Sequence, residues 1–268
     1  MALFVNTNVS SINAQRNLSK SSKAINDSYT KLASGFRINS AKDDAAGLQI
    51  ADRMTAQING LAQGNRNAND GISMCQTIEG ALDEVTNMLH RIRTLTVQYN
   101  NGTNGAHEQS AINMEISALY TEIARIGSQT KFGKDLDVFK QGSVTLQVGA
   151  YQDNTITFSQ NKMSAVLGFT GFSVFSASRG ISDVDTMLEN VDRYRAKLGA
   201  IQNRLESSIS NQENVIENLS DSRSRIRDVD YASETAKMTQ QSILQQASTT
   251  ILSQANQKTQ IALSLIGS

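Results

Sequence analysis

Adjacent aspartates, Asp43 and Asp44, are the first residues along the chain that could do acid–base chemistry, because neighbouring carboxylates can divide the roles of proton donor and acceptor. Ser40 precedes Asp43 at the three-residue spacing of a capping box, however. The pair is therefore expected to bind the free N–H groups of a helix start and face its positive dipole end. Cys75 is the single cysteine and lies between Ile72 and Ile78 on an apolar stripe, where a thiol behaves as a small hydrophobe. His90 and His107 are the two histidines, and the sequence contains no HExxH, Cys/His cluster, GxGxxG or Walker loop. No catalytic, metal or cofactor-binding residue is expected, and the chain does not read as an enzyme. Lys+Arg and Asp+Glu each number 25, with no single-sign tail, so nucleic acid is not an expected partner. No apolar run approaches the roughly 18 residues of a membrane span, and the start, MALFVNTNVSSINAQRN, lacks the basic and apolar regions of a cleaved signal.

The elements that must carry these residues are long helices. Proline is absent from all 268 residues, so nothing interrupts a helical run. Val5, Val9, Ile12, Leu18, Ile25, Tyr29 and Leu32 recur at helical intervals, and the polar Ser34–Ser40 stretch ends that helix. From Ile50 to Ile92 the apolar spacing predicts a second helix, broken near Gly60–Gly64. Asn100–Gly105 is a loop by composition, after which Ile112, Ile116, Leu119, Ile123 and Ile126 restart a heptad. Val144, Leu146 and Val148 then alternate with polar residues, as do Ile156 and Phe158, around the turn residues Gln152-Asp153-Asn154. That predicts a hairpin in a β-rich insert at about 130–180. Val184, Met187, Val191, Tyr194, Leu198, Ile201, Leu205, Val215, Leu219, Ile226 and Val229 mark a long return helix. Asp230 is its successor's expected N-cap, and Leu244, Ala247, Ile251, Ala255, Ile261 and Leu265 stripe the last helix. The fold class is mainly α: a long helical coiled-coil bundle with a small β-hairpin insert. It divides into a terminal helix (1–35), a helical region with the insert (36–182), a long return helix (183–230) and a second terminal helix (231–268). Each terminal helix has a stripe that it cannot bury alone, so the ends must pair with each other, pair with other subunits or stay disordered until assembly.

Particular residues add a resemblance. Tyr29 to Leu48 (YTKLASGFRINSAKDDAAGL), Asn69-Asp70-Gly71-Ile72-Ser73 and His90 to Gln98 (HRIRTLTVQ) resemble the N-terminal signature of bacterial flagellins. Ser224 to Ala232 (SRIRDVDYA), Ile243 to Ala247 (ILQQA), Gln254-Ala255-Asn256-Gln257 and Leu263-Ser264-Leu265 resemble their C-terminal one. The resemblance covers roughly residues 1–135 and 185–268. It implies a secreted, extracellular subunit of the bacterial flagellum, a homopolymer whose inner core is built from paired terminal helices. Val5, Val9, Ile12, Leu18, Ile25, Leu32, Leu244, Ala247, Ile251, Ala255, Ile261 and Leu265 would make that core. It also implies type III-like export and, as partners, an export chaperone, a filament cap and hook-junction proteins. Arg91, Leu95 and Glu115 match positions of subunit contact that a flagellin-sensing Toll-like receptor of animal hosts recognises in other members. Thr94 replaces a glutamate common in recognised members. The short middle, about 136–182, implies that large outer domains are absent; within it Ser143, Ser173, Ser176 and Ser178 are candidates for O-linked glycans. A hook–filament junction protein shares the paired-helix ends and is the rival reading.

Overall fold

The computed structural model describes residues 7–134, 136–168 and 180–266, the last without the side chains of 262–266. Of the candidate residues, Val5, Ser173, Ser176 and Ser178 lie outside the described residues, as does the side chain of Leu265. The elements run α1 (Val9–Ser34), α2 (Ala45–Tyr99), α3 (Ala106–Gln129), β1 (Lys131–Phe132), β2 (Leu136–Asp137), β3 (Gly142–Gln147), β4 (Thr155–Gln160), α4 (Met163–Val166), α5 (Ile181–Arg227) and α6 (Tyr231–Ile266). Packing groups them into two compact units. One comprises the chain up to Thr55 and from Asn218 onward; the other is Ala56–Glu217. The divisions fall inside α2 and α5, while the helix ends fall at the polar joints that composition marks.

In the Ala56–Glu217 unit, α2 contributes Cys75, Ile78, Leu82, Val85, Leu89 and Ile92 to an apolar core. Across from them stand Ile112, Ile116, Tyr120 and Ile123 of α3 and Val184, Met187, Val191, Tyr194 and Leu198 of α5. Removing each such aliphatic side chain from water stabilises the bundle by about 1.5–3 kcal/mol before chain entropy is counted. Strands β3 and β4 form the expected antiparallel hairpin, in which Val144 faces Phe158 and Leu146 faces Ile156. A second two-stranded ribbon, β1–β2, precedes it.

Helix α2 continues unbroken through Gly60–Gly64, where the glycine content predicts an interruption. These glycines admit a neighbour instead. A Cβ placed on Gly64 would stand 2.1 Å from the Val148 carbonyl oxygen, and one on Gly60 would stand 2.9 Å from the Ala150 Cβ. A second difference concerns Val215, which is 38% exposed and lies off the α5 seam. Counting on from Leu205 at alternating steps of four and three gives Ile209, Gln212 and Ile216, and these are the covered residues. Gln212 has no apolar signal, so an apolar-only reading passes over it.

Candidate assembly surface

The first unit is built on the pairing of α1 with α6. Asn8 opens α1 by accepting the Ser11 N–H at 3.1 Å, and Gly35, at φ 75°, closes it by donating to the Lys31 carbonyl at 2.9 Å. Asp44 caps α2, accepting the Gly47 N–H at 2.9 Å. The expected Ser40–Asp43 capping box does not open the helix: the Ser40 N–H and hydroxyl both donate to the Asp43 carboxylate at 3.0 Å, while the Asp43 N–H donates to the Ser40 carbonyl, in the turn just before α2. Bonds from Asn39 and Ser40, the Asn39 N–H foremost, hold the exposed Asp43 carboxyl below the usual carboxylate range. Both aspartates thus serve backbone groups, Asp44 as the helix cap and Asp43 within the preceding turn. At the other joint Asp230 accepts from Ala232 at 3.0 Å and Ser233 at 3.4 Å, opening α6.

The joints clasp each other. Phe36 and Asp228 form an antiparallel bridge, Arg37 N–H donates to the Arg227 carbonyl at 2.6 Å, and Val229 N–H donates to the Gly35 carbonyl at 3.0 Å. The Arg227 guanidinium lies 4.2 Å from the Phe36 ring centroid, and the Arg37 guanidinium donates to the Ile226 carbonyl.

From this clasp α1 and α6 run antiparallel. Tyr231 donates to the Leu32 carbonyl (3.4 Å), Ser28 to Glu234 (2.6 Å), Gln245 to Ser22 (3.0 Å) and Asn8 to the Ala255 carbonyl (2.9 Å). The covered residues of α1 include Ser11, Ala14, Leu18, Ser21, Ile25, Ser28 and Leu32 at heptad spacing, large and small side chains alternating from Leu18 on. Those of α6 keep the same spacing through Glu234, Met238, Gln241, Gln245, Ser248, Leu252 and Ala255. Small seam residues let the two backbones come close, with Cα atoms within 8 Å.

This pairing divides the candidate core residues into two sets. Leu18, Ile25, Leu32 and Ala255 lie on the seam, covered within the chain. Val9 (67%), Ile12 (57%), Leu244, Ile251 (54%) and Ile261 (59%) are exposed, as is Ala247. The single α1 stripe read from spacing is thus two faces, since six residues from Ile12 to Leu18 rotate the helix by about 240°. Spacing in apolar residues alone overlooks Ser11, Ser21, Ser28 and Ser248. Their signal is their spacing from the large seam residues: Ser21 and Ser28 lie three or four residues from Leu18, Ile25 and Leu32, Ser11 lies seven before Leu18, and Ser248 lies four before Leu252 on α6. Exposed Ile243 and Tyr231 extend the uncovered apolar surface of α6.

In the second unit, Arg91 on α2 binds Glu115 on α3 through Nε (2.9 Å) and Nη2 (2.7 Å), and both side chains are about half exposed. Leu95 is only 2% exposed and belongs to the bundle core, which corrects its assignment as a surface contact: its position on α2 faces α3 and α5. Ser143 is exposed on β3, opposite Ser159. The Cys75 thiol is fully buried, and that burial, reinforced by Glu79, pushes it up to about 11. Among the described residues no three His, Cys, Asp or Glu side chains gather as metal ligands, and no helix is long and apolar enough to cross a membrane.

The chain's similarities follow the same division between ends and middle. Residues 5–136 match the bacterial flagellin N-terminal helical region, and residues 181–266 match the bacterial flagellin C-terminal helical region. A flagellin of Halalkalibacterium halodurans is 43% identical over 272 residues, covering 98% of this chain and all of that one. Flagellin B of Vibrio cholerae is 35% identical over an alignment of 376 residues that covers both chains completely, so that relative carries long insertions which this shorter chain lacks. Among solved structures, a putative flagellar hook-associated protein from Vibrio parahaemolyticus superposes with a TM-score of 0.60 at 13% identity, over 69% of this chain and all of that one, a likeness of fold alone.

Proposed function

The chain belongs to the bacterial flagellin family, is a structural subunit of the flagellar filament and not an enzyme, and on that premise we propose that its paired terminal helices drive polymerisation of a filament used for swimming. One observation carries this reading: large apolar side chains stand exposed on both helices, Val9 and Ile12 on α1 and Ile243, Leu244 and Ile251 on α6. A helical polymer needs a contact between two different faces that repeats without closing. In our reading the small-residue seam joins the two ends of one subunit, and the exposed faces join neighbouring subunits. Ile261 extends the face of α6. The inner core of the filament is then made of 1–35 and 231–268.

Flagellin relatives form an extracellular filament, and we infer that this chain reaches it by type III-like export with its ends unpaired, aided by an export chaperone and adding at the tip beneath a filament cap beyond the hook-junction proteins. Ser143 is the described serine that we propose as a glycan acceptor. The test is electron microscopy of purified chain seeded with filament fragments. Wild type should give long fibres, and Ile251→Asp should stay soluble, because a carboxylate would replace an aliphatic group where water is excluded. Fibres of normal yield from that variant would remove the exposed faces from assembly.

The exposed Arg91–Glu115 pair supports a second role for one surface, as a subunit contact that a flagellin-sensing Toll-like receptor reads in the free monomer. Arg91→Ala should weaken binding of monomer to the receptor ectodomain by about tenfold or more, the scale of a lost charge-assisted hydrogen bond. Equal binding would refute the assignment.

A further inference from the structure

Glu234 is the one charged side chain buried among the described residues, and it sits on the seam between the terminal helices. Its carboxylate accepts the Ser28 hydroxyl of α1 at 2.6 Å, and Lys237 of its own helix stands 3.5 Å away. Lys31 of α1 also acts on it. With Lys31 and Lys237, the groups Arg37, Asp43, Asp44 and Asp230 line the adjoining cleft. The three aspartates are committed to backbone N–H groups of their own joints, and the Arg37 guanidinium donates to the Ile226 carbonyl. Those groups keep their charges, but the cations that act on Glu234 are Lys31 and Lys237, and both favour its ionised form.

We propose that Ser28 and Glu234, with Lys31 and Lys237 beside them, form an acid-operated latch between α1 and α6, closed while the carboxylate is ionised and loosened when it takes up a proton. An ionised carboxylate at this position has a donor and two cations that a neutral one does not need, so its protonation discards the attraction that repays its burial. The direction of its titration agrees: the Ser28 hydrogen bond first, then Lys31 and Lys237, hold Glu234 below its ordinary 4.5 against the opposing effect of burial. A folded value below the unfolded one means that the stabilisation is complete above about pH 4.5 and disappears as pH falls through the folded value.

The latch is measured in the polymer and so rests on the filament reading. A chain that forms no fibres at pH 7 counts against that reading, whereas the latch is judged by how existing fibres respond to acid. Hydrogen exchange by mass spectrometry on filaments of the full chain, corrected for intrinsic exchange, is followed from pH 7 to 3. In wild type, protection of α1 and α6 peptides should fall below pH 4.5 by up to about tenfold per pH unit, the limit for one proton. Glu234→Gln, which keeps size and a hydrogen-bonding group, should show a clearly smaller step, the remainder belonging to Asp43, which is also held low at the neighbouring joint. Lys31→Ala should keep the step and move it to higher pH, a change that a purely structural role for Lys31 would not produce. The same step in wild type and Glu234→Gln, or an unmoved midpoint in Lys31→Ala, would overturn the proposal.

Discussion

A methyl group added to Gly64 and one added to Gly80 should have opposite effects, although both positions are in α2. At Gly64 the new Cβ would meet the Val148 carbonyl at 2.1 Å, so the hairpin or the helix must shift. Overpacking of this kind costs about 1–3 kcal/mol, more than the roughly 1 kcal/mol that alanine gains over glycine in a helix. At Gly80 nothing lies within 4 Å of the added atom, and only the helical gain remains. Urea unfolding should therefore place Gly64→Ala below wild type and Gly80→Ala above it by about 0.5–1 kcal/mol. Cys75 belongs to the same scale. Its thiol is protonated and shut away at neutral pH, so it acts as packing volume and not as a reactive group.

At the scale of the element, helix ends are held by single side chains. Asp230 offers its carboxylate to two N–H groups of α6, and Asp230→Ala should cost about 1 kcal/mol, seen as faster amide exchange in the first turn of α6. Asp230→Asn should restore most of it, since asparagine caps nearly as well. The α1–α6 seam differs in kind from the bundle of α2, α3 and α5. The bundle buries leucine, isoleucine and valine, whereas the seam buries mainly serine, alanine and glutamine around a few large residues. Little apolar area is removed from water at such a seam, so in the filament we propose, much of the stabilisation of the ends would come from neighbours packed on their outer faces.

For the whole molecule this predicts a separation of effects. Ile251→Asp changes a side chain that is 54% exposed in the single chain, so the core of the Ala56–Glu217 unit is untouched. Thermal unfolding of the soluble chain should shift by no more than about 0.5 kcal/mol, the usual range for surface changes, while polymer yield collapses. A parallel loss of fold and filament would instead place Ile251 inside the folded subunit. Because the polymer repeats one contact at every subunit, a modest cost per contact is paid throughout the fibre.

The local elements were legible in the sequence because their causes are local. Absence of proline permits long helices, apolar spacing gives each one a face, Asp230 carries the cap chemistry of α6, and the alternation around Gln152-Asp153-Asn154 produces the hairpin. The signature residues at both ends likewise pointed to the family that the whole-chain similarities show. Only the tertiary structure decided which face of α1 is covered, because Ser28 and its partner Glu234 are 206 residues apart and neither is apolar. It also turned Gly60–Gly64 from an expected break into a docking groove, and it moved Leu95 from a surface contact into the core. An amphipathic pattern states that a face must be buried; the element that buries it depends on distant residues, and small polar side chains acquire a role only when that partner arrives.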